Sequence, residues 1–219
     1  MGENPIVLST DALCKSFGSL EVARNVAIEL PRGARYALIG PNGAGKTTLI
    51  NLITGELRPD SGRIVLDGRD VTGVAPAARV RNGLARTFQI NTLFASLTPL
   101  EAVTLAVCER QGVAGQFWRS LSAHRGAIAE AHDLLDQLRL GPVATRPTRT
   151  LAYGQQRLLE IALALATRPK ALLLDEPAAG VPKDESAMLF SVLAGLPEDI
   201  SVLFIEHDMD IVFSFATRV

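Results

Sequence analysis

A glycine-rich stretch at residues 40–48, here called the phosphate loop, carries the residue types that hold a triphosphate. It matches the pattern G-x-x-x-x-G-K-[ST], with a short apolar run before it and a helical pattern after it. Glycines let backbone N–H groups face an anion because no Cβ blocks them, and the N-terminus of the following helix adds to the attraction. In this pattern Lys46 reaches the β- and γ-phosphates, and the hydroxyl of Thr47 is a ligand of Mg²⁺. The predicted nucleotide-binding residues of the loop are Gly40, Pro41, Asn42, Gly43, Ala44, Gly45, Lys46, Thr47 and Thr48.

The phosphate loop alone does not decide the activity. A flexible glycine turn is the structural alternative, but the pattern is complete and lies between a strand and a helix. Kinases and GTPases with this loop type would match equally well. The loop therefore predicts ATP or another nucleoside triphosphate as the ligand and leaves the reaction open.

Two acids follow a second apolar run. Residues 172–174 are leucines, and Asp175 and Glu176 come directly after them. Acids at the end of a buried strand lie at the edge of the sheet where ligands of open α/β sheets bind. We expect Asp175 to hold Mg²⁺ through water and Glu176 to orient the attacking water or accept its proton. The alternative is that both are solvated acids at a strand end.

His207 follows the next apolar run, residues 201–205, and so is expected at the same edge of the sheet. There it could contact the γ-phosphate and position the attacking water. A single histidine is more often an ordinary packing residue, but the position of His207 favours a functional one. His124 and His132 have no such position, and we interpret them as surface or packing residues.

The elements around these residues alternate between strands and helices, which predicts a mostly parallel sheet. Apolar runs and turn residues predict strands at 22–30, 35–39, 171–174 and 201–205, and a hairpin at 63–71 with Asp67 and Gly68 in its turn. Helical spacing predicts helices at 47–54, 153–167 and 186–196.

Residues 90–150 differ from the rest and predict a helical lobe inserted into the α/β core. Residues 98–101, Thr-Pro-Leu-Glu, are typical of a helix start, while residues 111–126 are ambiguous. One helical face is formed by Ile128, Ala131, Leu134, Leu135 and Leu138. We therefore predict one domain over 1–219, with a core and β portion at 1–89 and 151–219 and a helical lobe at 90–150, the last helix of the lobe continuing to about residue 167.

Composition excludes several classes of protein. The 219 residues carry a net charge of -1, which gives no sign of a basic nucleic-acid surface. Cys14 and Cys108 lack metal-ligand spacing and are expected to be reduced, buried thiols. Residues 1–10 do not have the pattern of a signal peptide, and no apolar stretch approaches the roughly 20 residues that span a bilayer. If the protein works at a membrane, another chain must provide the membrane part.

Residues 151–157, Leu-Ala-Tyr-Gly-Gln-Gln-Arg, resemble the L-S-x-G-Q signature loop of the ABC ATPase family. Together with the phosphate loop and the Asp-Glu pair, the resemblance covers nearly the whole chain. It implies the ABC ATPase cassette: an α/β P-loop NTPase core of the RecA-like type with a mostly parallel sheet, an N-terminal antiparallel β portion and an inserted helical lobe.

The resemblance also assigns further residues. Phe17 is similar to the aromatic residue that stacks on adenine, Gln89 to the glutamine that senses Mg²⁺ and the attacking water, and His207 to the switch histidine. In this family the signature loop, here Ala152, Gly154 and Gln155, contacts the γ-phosphate bound to the opposite subunit. Hydrolysis then needs two cassettes, arranged head to tail, with ATP between them.

Two departures from the family pattern affect this expectation. The usual serine of the signature loop is Ala152, so one hydroxyl contact to phosphate is absent and we expect a weaker contact. The loop at 177–183 lacks the family's usual aspartate, which bears on communication between subunits. Family members usually continue through further strands and a helix beyond the position of Val219.

The signature segment and the Asp-Glu-Pro-Ala-Ala-Gly run at 175–180 are similar to those of ATPases of bacterial branched-chain amino-acid importers. This resemblance implies membrane permease subunits, a second ABC ATPase subunit and, indirectly, a solute-binding protein as partners, with no nucleic acid. It places the protein peripherally on the cytoplasmic face of the inner membrane, and soluble when isolated.

Two other functions remain open at this stage. A soluble ABC ATPase acting on DNA or ribosomes usually has two cassettes or a long coiled-coil insert, and this sequence has neither. A nucleotide-binding module without turnover is suggested by Ala152 and the early end of the sequence. The transporter hypothesis predicts an apolar groove beside Gln89 that receives a short helix of the membrane partner. Its candidate lining, which could instead be plain core, is Phe88, Leu93, Phe94 and Leu97.

Overall fold

A computed structural model describes residues 4–87, 93–113 and 124–219. The chain forms two compact units. The first comprises Met1–Arg86, Pro169–Pro177 and Leu196–Val219, and the second comprises Thr87–Arg168 and Ala178–Gly195. The domain boundaries derived from the sequence stay a prediction.

The strands and helices follow in chain order. The strands are β1 Ile6–Phe17, β2 Leu20–Pro31, β3 Arg35–Leu38, β4 Ser61–Leu66, β5 Arg69–Asp70, β6 Leu84–Arg86, β7 Ala171–Asp175 and β8 Ser201–Ile205. The helices are α1 Lys46–Thr54, α2 Pro76–Arg81, α3 Pro99–Arg110, α4 Arg125–Gln137, α5 Tyr153–Ala166, α6 Lys183–Ala194 and α7 Met209–Phe215.

An antiparallel sheet in the first unit has the strand order β2-β1-β4-β5. The predicted turn at Asp67 and Gly68 joins β4 to β5, with φ values of 47° and 76°. Both values are positive, as a type I′ turn requires. Strand β1 was missed by the sequence analysis because its pairing with β2 shifts register three times between Thr10 and Ser16, which breaks a simple alternation.

A parallel sheet in the same unit has the order β3-β8-β7-β6 and confirms the predicted mostly parallel α/β core. Every residue of β7 and β8 is buried, which explains their continuous apolar sequences. Asp175 pairs with Ile205, so the carboxyl ends of these two strands meet at one edge of the sheet. Strand β6 has only three residues and is too short to show a sequence pattern.

Helix α1 packs its apolar side into the core of the first unit. Leu49, Ile50, Leu52 and Ile53 are buried in a cluster with side chains of β1, β4, β7 and β8. The buried guanidinium of Arg79, 2% exposed, donates to the carbonyl groups of Leu52 and Ile53 at 2.9 and 2.6 Å. These are among the last carbonyl groups of the helix, which have no partner within the helix itself.

The second unit confirms the predicted helix start and helical face. Thr98 caps α3 and forms a capping box with Glu101. On α4 and the residue after it, Ala131, Leu135 and Leu138 are buried, while Ile128 and Leu134 are half-buried. Residues 114–123, most of the segment that was ambiguous from the sequence, lie outside the described residues.

Some local expectations need correction. Cys108 is buried as predicted, but Cys14 is only half-buried because it lies on β1, where its Sγ accepts a hydrogen bond from the backbone N–H of Asn25 at 3.3 Å. Helices α2 and α7 were not predicted, since six and seven residues are too few for a clear helical period. In the described part of the chain, every helix is too short or too polar to cross a membrane.

Candidate functional site

The phosphate loop connects β3 to α1, as the sequence predicts. Gly45 is the N-cap of α1 with φ 87°, and no side chain of the described residues caps this end. A Cβ at Gly45 would lie 2.7 Å from the carbonyl oxygen of Val22, so the backbone leaves no room for a larger residue. The N-terminus of α1 therefore keeps the free N–H groups and positive dipole end that attract an anion.

Lys46 lies across its own loop. Its Nζ donates to the carbonyl oxygens of Gly40 at 2.7 Å and Pro41 at 2.9 Å. These are neutral acceptors, so no carboxylate in these contacts competes with an incoming phosphate. The neighbouring Thr47 is exposed.

Asp175 lies at the carboxyl end of β7 and is almost fully buried, with its side chain 1% exposed. One carboxylate oxygen, Oδ2, accepts a hydrogen bond from Arg86 at 3.0 Å. The other, Oδ1, is buried without a hydrogen-bond partner among the described residues. Burial raises the pKa of Asp175, and the Arg86 guanidinium opposes part of that rise.

The unsatisfied Oδ1 of Asp175 bears on Mg²⁺. A buried oxygen without a partner is costly, and a hydrated cation is one group that would satisfy it. The described residues contain no cluster of three or more His, Cys, Asp or Glu that could hold a metal by themselves. A site made of one carboxylate, the Thr47 hydroxyl and phosphate oxygens fits both observations, because Mg²⁺ in such sites takes few protein ligands.

Glu176 and His207 are brought together by the structure. His207 Nε2 and Glu176 Oε1 are 2.8 Å apart, and their side chains are 44% and 25% exposed. Glu176 has φ 50°, an unfavourable conformation for a residue with a side chain, and its N–H donates to the carbonyl oxygen of Ile205 at 3.1 Å. Backbone strain of this kind concentrates at functional sites.

The signature loop, Leu151–Gln155, lies in the second unit and opens α5. Ala152 is the N-cap, and its N–H donates to Oε1 of Gln155 at 3.1 Å. The N–H of Gly154 donates to Oε2 of Glu185, on α6, at 3.1 Å. Two N–H groups at this helix start, those of Ala152 and Gly154, therefore donate to side chains of the same unit.

A buried ion pair supports the start of α5. Arg157 donates to Glu160 at 2.8 Å, and both side chains are less than a tenth exposed. Arg157 also donates to the hydroxyl of Tyr153 at 2.8 Å, and Tyr153 donates to the carbonyl oxygen of Ala179 at 3.2 Å. These contacts tie the signature loop to the segment at 178–185.

The remaining predicted residues are placed as follows. Phe17, at the end of β1, is 48% exposed, with the Lys15 ammonium 5.7 Å from its ring. Gln89, like Phe88, lies outside the described residues.

Of the proposed groove lining, Phe94 is 70% exposed, which contradicts the plain-core alternative for this residue, while Leu93 and Leu97 are half-buried. His132 is an exposed partner of Asp136 at 3.1 Å, and His124 is half-buried at the N-cap of α4. Both have the ordinary roles expected from the sequence.

Sequence reasoning missed Arg79, Arg86 and Glu185. Nothing in the local pattern distinguishes these residues, because arginine and glutamate are common on any surface helix or strand end. A separate cavity lies against β3 and is lined by residues that include Thr10, Ile28 and Arg218. It contains none of the predicted site residues.

Comparison with known proteins identifies the family. The sequence pattern of the family described as "ABC transporter" matches residues 23–179. The chain belongs to the ABC transporter family. It is 37% identical to the high-affinity branched-chain amino acid transport ATP-binding protein BraF of Pseudomonas aeruginosa, over 97% of this chain and 86% of that protein. It is 36% identical to the ribose import ATP-binding protein RbsA 2 of Streptomyces avermitilis, over 97% of this chain and 41% of that protein.

Solved ABC cassettes confirm the fold. A nucleotide-free ATP-binding cassette of an ABC transporter superimposes with a TM-score of 0.83 at 32% identity, covering 97% of this chain and 85% of that one. The ADP conformation of such a cassette gives a TM-score of 0.84 at 33% identity, with the same coverage. The predicted fold class is therefore confirmed, and the chain is an ATP-binding ABC ATPase of the kind that is coupled to transport.

Proposed function

We propose that this ABC ATPase powers the import of branched-chain amino acids, and that Lys46, Glu176 and His207 carry its hydrolysis of ATP. The observation that carries the catalytic part of the proposal is the 2.8 Å contact between Glu176 and His207. The contact lies at the carboxyl edge of the parallel sheet, directly beyond the buried Asp175.

The nucleotide would be held by the first unit. Backbone N–H groups of the phosphate loop and the N-terminus of α1 bind the phosphates, with Lys46 moving from its loop carbonyl groups to the β- and γ-phosphates. The exposed ring of Phe17 offers a flat apolar surface for adenine. Thr47, Asp175 and Gln89 would hold Mg²⁺, which supplies charge neutralisation for the phosphates.

Hydrolysis then needs a positioned water and a proton acceptor. The oxygen of the water forms a bond to the γ-phosphorus as the bond to the β-bridging oxygen breaks, which leaves ADP and phosphate. Glu176 orients the water and takes its proton, and His207, already in contact with Glu176, fixes that carboxylate and reaches toward the γ-phosphate. Lys46 balances charge on the phosphate oxygens.

A second ABC ATPase subunit would complete the site. In this proposal the signature loop, through Ala152, Gly154 and Gln155, contacts the γ-phosphate on the opposite subunit. Because Glu185 accepts from the Gly154 N–H in the isolated chain, that carboxylate must withdraw when the phosphate arrives.

The transported solute is suggested by the relatives. BraF, and LivG of Salmonella typhimurium at 38% identity over 97% of this chain, are branched-chain amino acid transport proteins. The partners would be membrane permease subunits at the cytoplasmic face of the inner membrane, served by a solute-binding protein. No nucleic acid takes part.

Turnover at several protein concentrations tests the ATPase part. We expect ATP hydrolysis to rise more steeply than protein concentration, and Glu176→Gln to lower it by at least about 100-fold, since the proton acceptor is lost. Glu109→Gln, at an exposed position on α3, is the matched control and should leave turnover unchanged. ATP binding without turnover at any concentration would instead support a nucleotide-binding module.

Uptake in the source cells tests the solute. Cells whose own copy carries Glu176→Gln should lose uptake of labelled leucine, isoleucine and valine and keep uptake of labelled ribose. Loss of ribose uptake alone would assign the chain to a sugar importer, which the similarity to RbsA 2 makes the specific competing outcome.

A further inference from the structure

Arg86 joins three parts of the first unit. It ends β6, pairs in register with Leu173 of β7, and its side chain is only 10% exposed. Its two terminal nitrogens point to different partners. Nη2 donates to Asp175, and Nη1 donates to Asn51 and Glu56.

The contact with Asp175 selects one oxygen of that carboxylate. Arg86 takes Oδ2 at 3.0 Å, while Oδ1 is buried and has no hydrogen-bond partner among the described residues. A carboxylate that is held by one oxygen has its other oxygen fixed in direction. The protein therefore presents a single, oriented acceptor at the end of β7.

The contacts on the other side reach α1. Nη1 of Arg86 lies 2.6 Å from Oδ1 of Asn51, which is on α1. The same nitrogen lies 3.0 Å from Oε2 of Glu56, just beyond the end of α1. This helix starts at the phosphate loop. A planar guanidinium holds its donors in a fixed arrangement, so the three contacts set the distance between α1 and Asp175.

We infer that Arg86 is a positioning residue for the Mg²⁺ of the nucleotide, because it fixes Asp175 so that Oδ1 faces the metal and its water. The inference rests on the proposed function, in which Asp175 holds Mg²⁺. Partners of this kind commonly change metal affinity by about 10- to 100-fold when they are removed. A merely structural ion pair would instead change stability without separating metal binding from nucleotide binding.

The test measures the affinity for a non-hydrolysable ATP analogue by calorimetry, at several Mg²⁺ concentrations and in EDTA. For Arg86→Met we expect the half-saturating Mg²⁺ concentration to rise by about 10-fold or more, with less than about a 2-fold change in EDTA. Arg86→Lys should fall between, since an ammonium can reach Asp175 but cannot hold Asn51 in the same plane.

Two further variants keep the result interpretable. Glu56→Gln leaves the Asp175 contact in place and should change Mg²⁺ dependence by less than about 3-fold. Arg63→Met removes an exposed arginine that pairs with Asp70 on the antiparallel sheet, and should behave as wild type. If Arg86→Met fails to fold, Arg86→Lys and Glu56→Gln still test the inference. The half-saturating Mg²⁺ concentration should rise more for Arg86→Lys than for Glu56→Gln.

The outcomes separate the inference from the proposed function. An Arg86→Met protein with wild-type Mg²⁺ dependence, or with equal loss of affinity in Mg²⁺ and in EDTA, would overturn the inference alone. A wild-type protein whose affinity for the analogue does not respond to Mg²⁺ would overturn the metal role of Asp175 and, with it, the inference.

Discussion

Helices α1 and α5 both begin at a loop expected to meet phosphate, but their first turns are satisfied differently. At α1 the N-cap is Gly45, and no described side chain caps the helix. At α5 the carboxamide of Gln155 accepts from the N–H of Ala152, and the carboxylate of Glu185 accepts from the N–H of Gly154. The N-terminus of α1 is therefore open to an anionic ligand, whereas the N-terminus of α5 already contacts a carboxylate of its own chain.

The two helices are also anchored differently. Arg79 holds the end of α1 through backbone carbonyl groups, which carry no charge. Arg157 holds the start of α5 through Glu160, so this anchor is a buried ion pair. The end of α1 is therefore held by neutral contacts and the start of α5 by a pair of opposite charges, and only the charged pair is expected to respond to pH.

The largest effect is expected for Arg157→Met. It leaves Glu160 buried without its cation, which should lower the free energy of unfolding by about 3–5 kcal/mol. Burial already raises the pKa of Glu160, and loss of Arg157 raises it further. A buried carboxyl group without a cation destabilises the folded state mainly when it is ionised. The loss of stability should therefore be greater near pH 8 than near pH 5. Urea unfolding at both pH values measures it.

Arg79→Met is the matched comparison for that result. It also removes a buried guanidinium, but its partners are carbonyl groups that do not titrate. A loss of stability that is the same at both pH values is therefore expected. Arg168→Met, which removes a 70% exposed partner of Glu130, should change stability by less than about 1 kcal/mol. A pH-independent loss for Arg157→Met would contradict the distinction.

The second largest effect is expected from alanine substitution at the start of α1, and the same substitution at the start of α5 should have a smaller effect. Gly45→Ala must place a Cβ against the Val22 carbonyl at positive φ, so we expect about 1–3 kcal/mol of destabilisation and loss of ATP binding. A Cβ at Gly154 would clash with the carboxylate of Glu185, which is the end of a flexible side chain and can move aside, and would lie 3.4 Å from the Glu185 Cβ. Gly154→Ala should change stability by less than about 1 kcal/mol and leave ATP binding intact.

Equal effects of the two alanine variants would show that the N-terminus of α1 is not specially constrained. Equilibrium binding of a fluorescent ATP analogue and urea unfolding, applied to both variants, distinguish these outcomes.

A smaller effect, this time a gain in stability, is expected from Ala152→Ser. Ala152 has the extended backbone of an N-cap, with φ -59° and ψ 153°, but no side-chain oxygen. A serine there can accept from the N–H of Gln155, which should stabilise the helix by about 1 kcal/mol. Ala129→Ser, at an exposed position inside α4, is the control and should destabilise slightly. Urea unfolding that places both variants on the same side of wild type would contradict the capping argument.

The smallest effect is expected for Glu185→Gln. The substitution keeps an acceptor for the Gly154 N–H but removes the charge at the start of α5. We expect a loss of about 0.5 kcal/mol in low salt that shrinks as salt is added, because Glu185 is only half-buried and a solvent-accessible charge near a helix end is screened. Thermal unfolding across a salt series measures it, and a loss that does not respond to salt would exclude an electrostatic role.

Much of the site was predictable because its residues follow local rules. The phosphate loop, the Asp175–Glu176 pair and His207 each come directly after an apolar run, and β3, β7 and β8 were predicted from those runs. The capping box at Thr98 was equally local. Strand β1 was not predictable, since its shifts of register against β2 hide the alternation on which strand prediction depends.

By itself, the sequence determined the residue types at the proposed nucleotide site and the alternation of strands and helices, because both depend on neighbours in the chain. Only the tertiary structure decided that Arg86 takes one oxygen of Asp175, that Glu176 meets His207, and that Glu185 reaches Gly154. These partners are distant in sequence. Which of many similar side chains meets a buried charge depends on how strands and helices pack, and no local pattern records that choice.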